Sequence, residues 1–192
     1  KFPERCINMG IAEQNMLGVA GGMAKDGTPI FATSFAPFIT MRAAEQVRMN
    51  MGYMQLSVKT VGLGSGLIMA QLGNSHFGIE DVAVMRAIPN ITVVSPADCG
   101  SIVKAVEEIT HHKGPVYLRL TGGPGNPVVY SEEYDFVIGK AITLREGADV
   151  AIVAAGTMVH TALAAAEMLG EAGLSVQVVD MHTIKPLDTD CL

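Results

Sequence analysis

Ile91-Thr92-Val93-Val94-Ser95-Pro96-Ala97-Asp98 is the stretch from which the fold can be read. Its β-branched run is stiff at χ1 and suits a strand. Ser95 can cap the helix that follows, Pro96 fits the first helical position, and Asp98 can complete a capping box. The helix is predicted over 96–111. It ends at His111-His112-Lys113-Gly114, where polar or cationic side chains meet the negative end of the dipole and glycine stops the turn. Two adjacent histidines invite a metal reading. Side chains at i and i+1 diverge on a helix, so pairing with the dipole is the better account.

The same alternation continues on both sides. Strands are predicted over 28–34, 57–63, 91–95 and 115–121, and helices over 11–25, 37–50, 79–86 and 96–111. Strands alternating with helices at this spacing predict an α/β fold with a parallel sheet flanked by helices. Gly122-Gly123-Pro124-Gly125-Asn126-Pro127 reads as a linker, and a polar, hairpin-prone stretch runs from there to Gly147. A buried strand over 149–156, an alanine-rich helix over 159–172 and a strand over 174–180 form a β-α-β unit with a right-handed crossover. The expected division is one domain over 1–126 and the first part of a second α/β domain over 127–192, too short to cover both faces of its sheet. The chain begins without methionine and stops just after Lys185-Pro186-Leu187-Asp188, so it is expected to be part of a longer polypeptide.

Composition narrows the function. The chain has 192 residues, 49% of them hydrophobic and 17% charged, which suits a globular protein with a real core. A net charge of −6 without a basic patch, and only 5% aromatic residues, argue against nucleic-acid binding. The longest apolar run, 150–155, is too short to cross a bilayer. Cys6, Cys99 and Cys191 are far apart and lack metal-ligand spacing, which points to free thiols in a reducing, cytoplasmic compartment.

Asn8-Met9-Gly10-Ile11-Ala12-Glu13-Gln14-Asn15-Met16 puts one carboxylate among small and apolar residues where a helix begins. Gly10 permits a turn and a close approach. Glu13 falls in the first turn, where the dipole favours negative charge, and it could be a first-turn acid with no other role. The stretch resembles the glutamate motif of transketolases and 1-deoxyxylulose-5-phosphate synthases, which use thiamine diphosphate. The resemblance implies that Glu13 binds a pyrimidine ring nitrogen of that cofactor and makes the cofactor's own amino group basic. Apolar neighbours Met16, Phe35 and Phe38 should raise the Glu13 pKa by desolvation, and burial is expected to outweigh the helix N-terminus.

Thr33-Ser34-Phe35-Ala36-Pro37-Phe38-Ile39-Thr40-Met41-Arg42 lies where a strand gives way to a helix, at the strand end where open α/β sheets bind ligands. Phe35, Phe38 and Met41 recur every three residues, as a core stripe would. The stretch is similar to the family's aromatic segment, which implies that Phe38 stacks on the aminopyrimidine while Phe35 and Met41 complete the pocket. Val61-Gly62-Leu63-Gly64-Ser65-Gly66 fails the dinucleotide fingerprint and reads as a loop of close backbone approach. Gly64, Gln71 and Leu72 depart from the charged residues of many transketolases, which removes selectivity for substrate hydroxyls. His76 matches a substrate-side histidine of some members and could pass protons to an alkoxide; otherwise it is a polar loop residue. Arg119, in an apolar strand, needs an anionic partner. The resemblance implies a substrate phosphate; a structural ion pair to Glu80 or Asp81 is the alternative.

Ile79-Glu80-Asp81-Val82-Ala83-Val84-Met85-Arg86 and Val179-Asp180-Met181-His182-Thr183-Ile184-Lys185-Pro186-Leu187-Asp188 extend the likeness through most of the chain. It implies the thiamine diphosphate pyrimidine-binding fold and ketol transfer, in which a two-carbon unit passes between sugar phosphates. No Gly-Asp-Gly motif is present, so the diphosphate and its Mg2+ or similar ion are expected on a partner half-site, in a homodimer or a hetero-oligomer with an N-terminal diphosphate-binding subunit. A 1-deoxyxylulose-5-phosphate synthase-like enzyme, a 2-oxoacid dehydrogenase beta-type subunit and a non-catalytic partner subunit are the other readings.

Overall fold

The computed structural model describes residues 2–123 and 125–192. Its strands are β1 (Ile30–Phe35), β2 (Val58–Ser65), β3 (Thr92–Val94), β4 (Val116–Thr121), β5 (Ile142–Arg145), β6 (Val150–Ala154), β7 (Val176–Asp180) and β8 (Thr183–Lys185). Its α-helices are α1 (Glu13–Met23), α2 (Ala44–Gln46), α3 (Asp81–Ala87), α4 (Cys99–His111) and α5 (Met158–Glu171). The predicted α/β order is therefore present. Pro124, in the predicted linker, lies outside the described residues.

A five-stranded sheet runs β1-β2-β4-β3-β8. The first three neighbour pairs are parallel and β3–β8 is antiparallel. Alternate residues feed opposite cores, as the strand period of two requires. Val58, Val93 and Tyr117 pack with Leu17 and Ala20 of α1, while Val61, Val94, Val116 and Leu118 pack with Ala105 and Ile109 of α4. Apolar side chains covered on both faces are what a parallel sheet demands.

A three-stranded sheet runs β5-β7-β6, with β6 parallel to β7 and α5 laying Ala162 and Ala166 on Val176 and Val178. The β-α-β unit is thus parallel, but β6 is not the buried strand expected. It is an edge strand whose Val150 and Val153 are 41% and 45% exposed, because it has a strand neighbour on one side only. β8 was not legible. It is three residues long and earns its pairing only from β3, far away in sequence.

Three local expectations need correction. The α4 cap is Asp98, not Ser95: Asp98 Oδ1 accepts from Ser101 N–H at 2.7 Å, and Ser101 Oγ accepts from Asp98 N–H at 2.8 Å. Ser95 is taken by tertiary bonds, its N–H donating to His182 O and its carbonyl accepting from Gly156 N–H. The predicted helix over 37–50 is mostly π-helical, with segments Phe38–Arg42 and Val47–Tyr53 around α2. Thr40 Oγ1 donates to Ala36 O at 2.6 Å and competes with the backbone ladder there. The glycine-rich stretch is not a loop but the end of β2, with a register shift between Gly62 and Ser65. Gly62 is required because the Tyr117 ring occupies the space of a Cβ.

The cation at the α4 C-terminus also comes from afar. Lys59, fully buried on β2, donates to His112 O at 2.8 Å and to Gly114 O. Burial pushes its pKa down to about 8.

Candidate active site

Glu13 opens α1. Gly10, at φ +70°, turns the chain ahead of it, and its N–H donates to Asn8 Oδ1 at 2.9 Å. Two contacts hold α1 against the π-helical region. Asn50 Nδ2 donates to Leu17 O at 3.1 Å, and Gln14 Nε2 donates to Arg42 O at 3.2 Å. Gly21 allows this approach, since a Cβ there would stand 2.9 Å from Asn50 Cγ.

Glu13 is buried, with its side chain 9% exposed. Oε1 accepts from Ser34 Oγ at 3.0 Å, and Oε2 accepts from Arg42 Nη1 at 3.0 Å. Ser34 and Phe35 are the last residues of β1, so the acid sits at the carboxyl end of a parallel strand. The Arg42 guanidinium also lies over the Phe38 ring, 4.0 Å from its centre.

His76 reaches this cluster by a closed loop. Gly66 and Gly78 exchange backbone bonds of 2.7 and 2.9 Å, which returns the chain to the end of β2. Gly78 has no room for a side chain, because a Cβ would meet Ala36 Cβ at 3.0 Å and Ser65 Cα at 3.2 Å. His76 then lies 5.5 Å from Phe35 and 5.1 Å from Phe38, ring centre to ring centre, with both pairs steeply inclined. Phe35 and Phe38 meet edge to face at 5.9 Å. Ser75 Oγ sits 3.0 Å from His76 Nδ1.

Phe35, Phe38 and His76 thus come together, and Arg42 links Phe38 to Glu13. Met41 is half-buried in the same π-helical segment. The shared helical face expected of Phe35, Phe38 and Met41 does not form, because Phe35 belongs to β1 and the rest to a π-helix. Arg119 pairs with Asp81, its Nε donating to Oδ2 at 2.8 Å, while Tyr117 Oη donates to the same oxygen at 2.6 Å. Arg119 Nη2 also reaches Gly78 O at 3.4 Å, so it braces the loop that carries His76. Gly64 sits at φ +60° and Leu72 is 49% exposed.

Ser34 and Arg42 are the partners that sequence reasoning missed. Their consequence is electrostatic. Burial is the largest single influence on Glu13 and raises its pKa, as expected. The N–H at the helix start, the Arg42 bond and charge, and the Ser34 bond together outweigh it, so the pKa lies below the ordinary value. The expected net rise is therefore overturned.

Two clefts, of about 420 and about 340 Å³, are lined by neither Glu13, Phe38 nor His76. The first lies beside the α4 C-terminus and the second beside its start.

Residues 1–123 match the family described as transketolase, pyrimidine binding domain, and residues 139–192 match transketolase, C-terminal domain. The chain belongs to the transketolase family. The transketolase likeness extends over its whole length. It is 42% identical to the 6-deoxy-6-sulfo-D-fructose transketolase subunit SqwH of Clostridium sp. (strain MSTE9), covering 100% of this chain and 59% of that protein. It is also 42% identical to the putative transketolase C-terminal section of Methanocaldococcus jannaschii, covering 100% of this chain and 61% of that one. Among solved structures, a split gene transketolase described as an inactive beta4 tetramer superposes with a TM-score of 0.91 at 44% identity, over 99% of this chain and 61% of that chain. The chain therefore spans about three fifths of the length of these relatives. None of its helices is long and apolar enough to cross a membrane, among the described residues.

Proposed function

We propose that this chain carries the pyrimidine-binding half of a transketolase site and transfers a two-carbon ketol unit between sugar phosphates once its partner half is in place. The observation that carries the reading is the buried Glu13 carboxylate at the end of β1, linked through Arg42 to the cluster of Phe35, Phe38 and His76. These residues fit thiamine diphosphate. A carboxylate shielded from water suits a ring nitrogen, and the Phe38 face already accepts one planar cation. When bound, the cofactor supplies the nucleophilic carbon to which a ketol unit attaches. Glu13 holds the proton shared with the ring nitrogen, Phe38 stacks on the ring, and Phe35 and Met41 wall it in. Ser75 occupies His76 Nδ1, so Nε2 is the nitrogen left to exchange a proton with a substrate oxygen. Arg119, besides its Asp81 pair, is assigned to the substrate phosphate on the family resemblance alone.

The division near residue 126, the partner and the metal belong to the same proposal. Two sheets support the division. The subunit and section names of the relatives support an N-terminal diphosphate-binding partner that holds Mg2+. By the same reasoning the chain alone is inactive, in line with the description of the beta4 tetramer. Glu13→Gln in the complete assembly is expected to lower ketol transfer at least about a hundredfold, with unchanged circular dichroism and melting. Near-normal turnover would overturn the assignment.

A further inference from the structure

Arg42 makes two contacts that the proposed cofactor would also need. Its planar guanidinium lies 4.0 Å from the centre of the Phe38 ring, and its Nη1 donates to Glu13 Oε2 at 3.0 Å. A flat, hydrogen-bond-donating group thus stacks on the phenylalanine and bonds the carboxylate at once. Guanidinium suits both tasks, being planar, charged and a forked donor. The side chain is 46% exposed, so water already reaches the guanidinium. The Glu13 carboxylate beneath it is 9% exposed.

We propose that Arg42 is a placeholder for the aminopyrimidine, a positioning residue that occupies Phe38 and Glu13 in the unloaded chain and must leave both when the cofactor binds. The inference rests on the cofactor reading above. The placeholder keeps a buried carboxylate paired before loading, because an unpaired one would be poorly solvated. It also lowers apparent affinity, since only the fraction of molecules with Arg42 displaced can accept the ring. Loading then exchanges one planar partner for another, and Glu13 changes from an ion-paired acid to one that shares a proton with a ring nitrogen.

The test is calorimetric titration of the full-length protein, assembled with its partner subunit, with thiamine diphosphate and Mg2+. Arg42→Gln should bind about fivefold more tightly, the scale of an exposed cation–π contact and a part-exposed ion pair combined. Stopped-flow mixing should put the gain in the association rate and leave dissociation unchanged, a split that a merely structural role would not produce. Arg42→Lys keeps the charge without the stacking plane and should fall between the two, and it carries the test if the glutamine variant fails to fold. Unchanged or weaker binding by both variants overturns the placeholder while leaving the cofactor reading intact, provided that Glu13→Gln still weakens binding. No binding by the unaltered assembly overturns the cofactor reading and the placeholder with it.

Discussion

Asp180 shows at the scale of one residue how burial and partners divide control of a charge. It is fully buried, accepts from Tyr130 Oη at 2.6 Å, and leaves Oδ1 without a partner among the described residues. Burial pushes its pKa up to about 7, the Tyr130 bond opposes that rise, and the charge of Asp98 adds to it. The unfolded value is near 3.8. Between these limits the folded chain holds a proton that the unfolded chain lacks, so this group's contribution to stability falls as pH rises to about 7. His182, pushed down to about 4 by burial, acts in the opposite sense from there up to its ordinary value. Asp180→Asn removes only the first effect. Its stability relative to the unaltered chain, read from melting curves, should climb from pH 4 to pH 7 and then level off, by about 4 kcal/mol at most. Parallel melting curves across that range would refute the assignment. Glu13 is the contrasting case: less deeply buried, it meets a guanidinium and its pKa falls.

At the scale of the element, α4 shows how close a sequence reading can come and still miss its anchor. Ser95 and Asp98 are both good capping residues, three positions apart. Asp98 wins because Ser101 completes the reciprocal box and because its second oxygen, Oδ2, accepts from Val129 N–H at 2.7 Å and Tyr130 N–H at 3.2 Å. One carboxylate therefore starts a helix and ties down the segment after β4. Asp98→Ala should cost about 3 kcal/mol, a cap plus two further bonds. Ser95→Ala should change stability by no more than about 0.5 kcal/mol, since its buried hydroxyl has no hydrogen-bond partner among the described residues. Urea unfolding of the two variants decides between the caps, and the reverse order of costs would reject Asp98. The π-helical segments are the other lesson at this scale. A helical spacing was legible over 37–50, but the extra residue per turn was not, because it depends on how Thr40 and α1 press on the backbone.

At the scale of the whole molecule, the C-terminal section is sewn into the first sheet. β8 pairs with β3, Lys185 Nζ donates to Arg86 O at 3.0 Å and to Ile88 O, and His182 stacks on Phe136 at 4.0 Å. Tyr130 and Tyr134 stack at 3.9 Å beside the Asp98 and Asp180 carboxylates. Such a seam makes separate melting of the two sheets unfavourable. The chain has no tryptophan and four tyrosines, two of them at this seam, so tyrosine fluorescence reports on it directly. Fluorescence and far-ultraviolet circular dichroism should give coincident unfolding transitions. Two separated transitions would show that the sections unfold independently.

The alternation of strands and helices up to β4, the parallel pairing of β1 to β4 and the position of an acid at a helix start were determined by the sequence itself. Each follows from periodicity and capping among near neighbours, which a linear chain displays openly. Arg42 on Glu13 at a separation of 29 residues, Tyr130 on Asp180 at 50, and Lys185 on Ile88 at 97 were decided only by the tertiary structure. Those pairings depend on which surfaces meet after the sheet has formed, and electrostatic balance at Glu13 depends on them in turn. Residue type marked Glu13 as a candidate; the fold chose its partners, and the partners set its charge.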